Sequence, residues 1–356
     1  MLRIQLQTKE RRMPNQKPDV MFKSGETSAA VRLSTIARTT VRIPTASGDD
    51  IEAWLYVPEG PRPYPTVVMA HGIGAIKAGG LAPFAERFCR EGFAAVVFDY
   101  RQWGGSAGQP REELSFPRQR EDYRTVIRWA AAHAYIDPRR VFAWGTSFAG
   151  MYIVDLAASD SRLAGAIAQS PLVDGFAAAR LASPLRGLRL LSVALADRVG
   201  SIFGRPPRYL PGAGRPGELA VGTAEDALFG EKLMTPKDGT EWRNRVAARS
   251  LLSFSWRRPV RRAAAIRCPI LLAVAEHDTM APVDPAVRVT ERAPHGELYR
   301  FRGGHYDVYQ GGRSFDDVLR VEVEFLLKHG SRDALRSSSS VPDLPAPSSR
   351  GENRNA

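Results

Sequence analysis

Apolar positions along the chain fall into short runs separated by stretches with helical spacing. Thr39 to Pro44 and Ile51 to Val57 read as two strands joined by the turn residues Ser47-Gly48-Asp49-Asp50, a β-hairpin pattern. Pro65 to Ala70, Phe93 to Phe98, Val141 to Trp144, Leu163 to Gln169, Pro269 to Ala275 and Leu298 to Phe301 are further strands, mostly continuous apolar runs suited to a sheet covered on both faces. Between them, Leu81 to Glu91, Pro117 to His133, Met151 to Ala158, Pro285 to Ala293 and Phe315 to His329 carry helical patterns, and Asp137-Pro138 is a turn signal ahead of the Val141 strand. Strand alternating with helix predicts the α/β class, with a doubly wound, mostly parallel sheet.

The alternation stops between about Asp174 and Arg262. That stretch holds a helical pattern from Leu188 to Val199, a Gly- and Pro-dense run from Gly204 to Gly217, and the aromatic residues Phe229, Trp242, Phe254 and Trp256. A long insertion that interrupts a sheet reads as a lid, so 174–262 is expected to be a largely helical cap on a core formed by 38–173 and 263–330. Residues 1–37 are polar and mixed in charge, and 331–356 carry a serine run and prolines without a hydrophobic pattern; a flexible arm and a disordered tail are expected there.

With 356 residues and 44% hydrophobic content the chain can bury a sizeable core. No apolar run approaches the roughly 20 residues of a membrane span, and the N-terminus lacks the apolar segment of a secretory signal. Cys89 and Cys268 are the only cysteines and read as buried free thiols, which fits a cytoplasmic protein. The formal charge of +12 raises the question of nucleic acid. The arginines are scattered, however, and no helix-turn-helix, zinc-ligand spacing or aromatic RNA-binding pattern accompanies them, so no nucleic-acid partner is expected.

The candidate chemistry centres on Val141 to Gly150, VFAWGTSFAG. A buried strand breaks at Gly145 and a helix begins after Gly150. This strand, tight turn and helix form a nucleophile elbow, which lifts the Ser147 hydroxyl above the sheet. Gly145, Ala149 and Gly150 are small where strand and helix nearly touch, and Ala149 stands where the usual GxSxG pattern has its second glycine. A serine nucleophile needs a base, and the base needs an acid that fixes its tautomer. Asp278 follows one later strand and His305 the next, in the chain order serine, acid, histidine. Loops at the carboxyl ends of parallel strands converge on one crevice. The backbone N–H groups of Phe148 and of Ile73, within His71-Gly72-Ile73-Gly74, are the expected oxyanion donors. His71 reads as a structural residue bonding within its loop and His277 as a surface residue. Glu276 and Asp307 are rival acids, the latter too near His305 in the chain to come from a separate strand end.

The runs HGIG, FDYRQWGGSAG, WGTSFAG, QSPLVDG, AEHD and GGHYDVY together resemble the α/β-hydrolase superfamily, and within it the group of dienelactone-hydrolase-like enzymes and fungal polyketide transferases, over about residues 38 to 330. The resemblance implies that fold, a triad of Ser147, Asp278 and His305, and neither a metal nor an organic cofactor. It leaves the substrate open.

Two activities share such a triad. One is hydrolysis of a carboxylic ester or thioester, and the other transfers the acyl group to an alcohol or amine. A non-catalytic binding module would lack a triad member. The partner expected is a small-molecule acyl substrate, and a homo-oligomer stays open. Arg180, Arg186, Arg189, Arg198, Arg205 and Arg208 in the insertion are either a solvated face or a site for a phosphate-bearing acyl carrier. Deleting 332–356 is expected to leave the thermal midpoint unchanged; a drop of more than a few degrees in a melting curve would show that the tail docks.

Overall fold

The computed structural model describes residues 36–331, so the expected disordered tail and nearly all of the expected arm lie outside the described residues. The chain opens with β1 (Arg38–Pro44), β2 (Asp50–Tyr56) and β3 (Tyr64–Ala70), followed by α1 (Ala82–Arg90), β4 (Ala94–Phe98), α2 (Phe116–Ala132), β5 (Ile136–Thr146), α3 (Gly150–Ala157) and β6 (Gly165–Gln169). Next comes a segment holding α4 (Gly175–Ala179), α5 (Pro184–Ile202), β7 (Tyr209–Leu210), β8 (Ala213–Gly214), β9 (Gly222–Thr223), α6 (Ala227–Met234), β10 (Val246–Ala247) and α7 (Leu251–Phe254). The alternation then resumes with β11 (Ile270–Ala275), α8 (Val283–Arg292), β12 (Gly296–Phe301) and α9 (Phe315–Gly330).

Eight strands form one sheet in the order β1-β2-β4-β3-β5-β6-β11-β12. The hairpin β1/β2 and the pair β2/β4 are antiparallel, and every other neighbouring pair is parallel. The side-chain period of two sorts the apolar strands onto two cores. Val68, Ala70, Val96 and Phe98 face a core shared with α2, α3 and α8; Val67, Met69, Ala95 and Val97 face one shared with α1 and α9. This is the doubly wound sheet that the alternating pattern predicts.

Asp137-Pro138 is not a turn before a strand; it lies inside β5. Tyr64 pairs with Ile136 and Thr66 with Val141, so the intervening residues of β5 bulge from the ladder. Pro138 has no N–H to donate, and a bulge is where a sheet tolerates that. The Asp137 carboxylate stabilises the bulge by accepting from the Arg139 amide at 3.0 Å and Arg140 Nε at 2.9 Å. The segment between β6 and β11 carries four α-helices joined by long irregular stretches, and β7/β10 and β8/β9 form two small ribbons that no periodic pattern announced, because two residues are too few to show one. Cys89 is buried as expected, whereas Cys268 is half-buried beside the start of β11; both thiols are free.

Glu322, on α9, is completely buried. It accepts a hydrogen bond from Trp144 Nε1 at 3.0 Å, and its second oxygen has no partner. Burial pushes its carboxyl from the ordinary 4.5 to about 8, against the opposing pull of the indole donor. The folded protein therefore keeps a proton that the unfolded chain releases near its ordinary value. The stability this contributes is complete below that value and declines as pH rises toward 8. Glu322→Gln, neutral at every pH, is expected to flatten the fall in thermal midpoint between pH 5 and 8 in a calorimetric series; an unaltered profile would show that the carboxyl is already ionised in the folded state.

Candidate active site

Ser147 follows β5 at the carboxyl edge of the sheet, with a left-handed φ of 56°. Such a φ is uncommon for a residue with a side chain, and here the surrounding packing enforces it. A Cβ on Gly145 would lie 2.8 Å from Ala149 Cβ, and one on Gly150 would lie 2.5 Å from Pro171. Pro171 belongs to the loop after β6, and the Leu172 amide of that loop donates to the Ser147 carbonyl at 2.9 Å. The methyl of Ala149 is fully buried within the turn.

The structure brings Ser147, His305 and Asp278 into one chain of hydrogen bonds. Ser147 Oγ lies 2.8 Å from His305 Nε2, and His305 Nδ1 lies 2.8 Å from Asp278 Oδ2. Because a carboxylate only accepts, Nδ1 carries the proton and Nε2 is free to accept from the serine hydroxyl. The other oxygen of Asp278 accepts from the amides of Met280 and Ala281 at 2.9 and 2.7 Å, which fixes the carboxylate in its turn. Burial alone would lower the pKa of the His305 imidazole, but the charge and hydrogen bond of Asp278, with a further contribution from Asp226, hold it above its ordinary value.

Ile73 and Phe148 both border the cavity at Ser147. Among the described residues neither amide is engaged in the backbone hydrogen bonds of turns and loops. Gly72 makes this arrangement possible, since a Cβ there would come within 2.7 Å of Ser147 Cβ. The loop is held from two sides. Tyr100 hydroxyl donates to the His71 carbonyl at 3.1 Å, and the buried Asp99 accepts from the Lys77 amide and from Lys77 Nζ, both at 2.6 Å. From the segment between β6 and β11, Trp242 Nε1 donates to the Gly74 carbonyl at 2.7 Å.

His71 is buried, and its ring lies against the Gly79 backbone of its own loop. Burial, against the opposing effect of a hydrogen bond with the Gly79 backbone, pushes its pKa down to about 3 and so favours the neutral ring. His277 and Glu276 are exposed. Asp307 serves its own loop, accepting from the Gly304 amide at 2.8 Å and pairing with Arg313. Two contributors had no sequence signal: Trp242, and Asp226, whose carboxylate oxygen would lie only 2.5 Å from a Cβ on Gly304.

A cavity of about 260 Å³ opens on Ser147 and His305, lined by residues of α4, α5 and α7 such as Ala178, Leu190 and Phe254. A larger, more polar cleft of about 560 Å³, between Trp54, Lys77 and Arg245, does not include Ser147. Of Arg180, Arg186, Arg189, Arg198, Arg205 and Arg208, Arg186 alone borders the cavity, and its guanidinium already donates to the Ala220 carbonyl at 2.6 Å; the other five are exposed. That favours the solvated-face reading over a phosphate site. Among the described residues no group of three or more His, Cys, Asp or Glu is placed to hold a metal ion, and no helix is long and apolar enough to cross a membrane.

Comparison with known proteins agrees with this fold. The chain is 39% identical over 274 residues to the quorum-quenching protein AidA of Acinetobacter baumannii, covering 77% of this chain and 90% of that protein. The crystal structure of the α/β hydrolase GrgF from Penicillium superposes with a TM-score of 0.70 at 26% identity, over 82% of this chain and 99% of that one. The chain belongs to the α/β-hydrolase superfamily. Residues 47–198 of this α/β hydrolase also match the family model of X-Pro dipeptidyl-peptidase, S15 family. The polyketide transferase grgF of Penicillium is 27% identical over 302 residues, covering 83% of this chain and 98% of that protein.

The charges around the His305 ring give a test for this hydrolase. Asp226→Asn is expected to lower the His305 titration midpoint, and Asp278→Asn to lower it further, when the imidazole resonances are followed by NMR across pH. A midpoint unmoved by both substitutions would place the cause of the raised value elsewhere.

Proposed function

We propose that this protein is a serine hydrolase that cleaves a carboxylic ester or thioester through an acyl-Ser147 intermediate. The observation that carries the reading is the unbroken hydrogen-bond chain from Ser147 through His305 to Asp278 at the mouth of an apolar cavity. Ser147 Oγ attacks the acyl carbonyl while its proton passes to His305 Nε2. Asp278 stabilises the imidazolium, and the amides of Phe148 and Ile73 stabilise the oxyanion. The leaving alcohol or thiol departs with the proton from Nε2. Water then gives a proton to His305 Nε2 as it attacks the acyl carbon, and the bond to Ser147 Oγ breaks as Nε2 returns that proton to the serine, releasing the acid and the free enzyme. Residues 174–262 serve as the cap: their apolar side chains receive the acyl group and exclude bulk water.

The lining also speaks to the peptidase resemblance. A substrate with a free ammonium group would need a carboxylate facing it, and the side chains around this cavity include Arg186 but no Asp or Glu. An apolar acyl group suits it better than an N-terminal dipeptide. Acyl transfer is the second reading, favoured by relatives described as polyketide transferases, grgF among them. An alcohol or amine would then take the place of water in the second half-reaction.

Turnover of short-chain p-nitrophenyl esters tests the proposal. Ser147→Ala and His305→Ala are each expected to lower kcat by a factor on the order of 10³ or more, non-additively, with melting curves unchanged. Because the base must be neutral, kcat/KM should rise with pH through a midpoint above the ordinary histidine value. A Ser147→Ala protein retaining more than about a tenth of the rate would refute the assignment. Adding an alcohol acceptor separates the readings: a transferase forms the new ester in preference to the acid.

A further inference from the structure

The outward face of α5 is apolar. Leu185, Leu188, Leu191, Leu195, Val199 and Ile202 recur at spacings of three and four, which puts them on one side of the helix, and all are exposed, Leu188 at 64% and Ile202 at 72%. The opposite side carries the buried Leu190, Ala194 and Asp197 and packs on the fold. Phe203 at 75% and Trp256 at 76% add to the exposed apolar side chains. Single exposed leucines are ordinary, but a continuous stripe marks a surface that something covers. Leu191 and Trp256 also line the cavity that opens on Ser147, so the stripe runs up to the cavity mouth.

The charge around this stripe says what covers it. Residues 176–217 contain seven arginines and no lysine, and their single acidic residue is Asp197. Asp197 is buried and spent on Arg249. At 100° per residue, Arg189 falls on one flank of the stripe and Arg198 on the other, both exposed. A second copy of the chain docking through the same face would set arginines against arginines with no acid to meet them. Residues 1–35 are a poor occupant for the same reason, with seven basic and three acidic side chains. Headgroup phosphates over acyl chains satisfy both features, since arginine grips phosphate bidentately and the leucines enter the acyl boundary.

We propose that the exposed face of α5, with Trp256, docks on the surface of an anionic phospholipid bilayer and sets the cavity mouth against the lipid. This goes beyond the proposed reaction, and binding is read without turnover. In flotation of the full-length protein at low salt, equimolar phosphatidylcholine and phosphatidylglycerol vesicles are expected to carry the protein up, phosphatidylcholine vesicles far less, and high salt should release it. Leu188→Asp combined with Leu195→Asp should weaken binding about tenfold or more, while the melting curve and the turnover of a soluble short-chain ester stay as in the parent protein. Should that variant fold poorly, Arg189→Glu with Arg198→Glu, which leaves the stripe intact, is expected to abolish the preference for anionic vesicles. A parent protein that stays at the bottom of the gradient with anionic vesicles overturns the proposal. So does a concentration-dependent dimer in analytical ultracentrifugation that the leucine variant turns into a monomer, since a second copy would then cover the face. Ester turnover insensitive to Ser147→Ala would defeat the reaction alone and leave the docking result standing.

Discussion

Three pieces of backbone meet at Ser147, and the rest of the site depends on how closely they approach. The serine sits at a left-handed φ, Gly72 presses on its Cβ, and Gly150 presses on Pro171. A methyl group at either glycine would need space that packed backbone does not supply. The turn therefore couples the loop after β3, the end of β5 and the loop after β6, three neighbouring parallel strands whose carboxyl ends share one edge. Moving any one of them moves the hydroxyl relative to the imidazole.

Buried charge maintains that approach. Lys77 is clamped between Asp99 and Glu52 at 2.6 and 2.7 Å, and the same Asp99 accepts from the Gly105 amide, tying the loop after β3 to the loop after β4. Removing Lys77 would leave the buried Asp99 carboxylate without its counter-charge. Three buried titratable groups take contrasting states for identifiable reasons. His71 and Glu322 are buried without a counter-charge and are held neutral, whereas His305 is buried beside Asp278 and is held ready to become positive. Asp278 can play that part because two amides of its own turn already satisfy one of its oxygens.

The segment between β6 and β11 has two opposed surfaces. Its inner side supplies most of the apolar lining at Ser147, and through Trp242 it also steadies the loop carrying Ile73. Its outer side leaves a leucine stripe in water, at a cost that a purely soluble role would not require. The same helix, α5, bears both faces.

Much of this was legible in the sequence because strand and helix periodicity are local properties. Apolar runs between helical patterns define a doubly wound sheet, and in such a sheet residues that follow strands must gather at one edge. That rule picks out Ser147, Asp278 and His305 from positions 158 residues apart without any coordinates. The turn residues of the β1/β2 hairpin and the elbow glycines were readable for the same reason. Tertiary structure alone decided what depends on distance between unrelated segments. Asp226 and Trp242 act from parts of the insertion for which no element was read, and Asp137-Pro138 bulges within a strand because β3 pairs on both sides of it. The helical pattern from Leu188 to Val199 was readable, but which face of α5 would be buried was not, because both faces carry apolar residues and only contact with the fold selects between them.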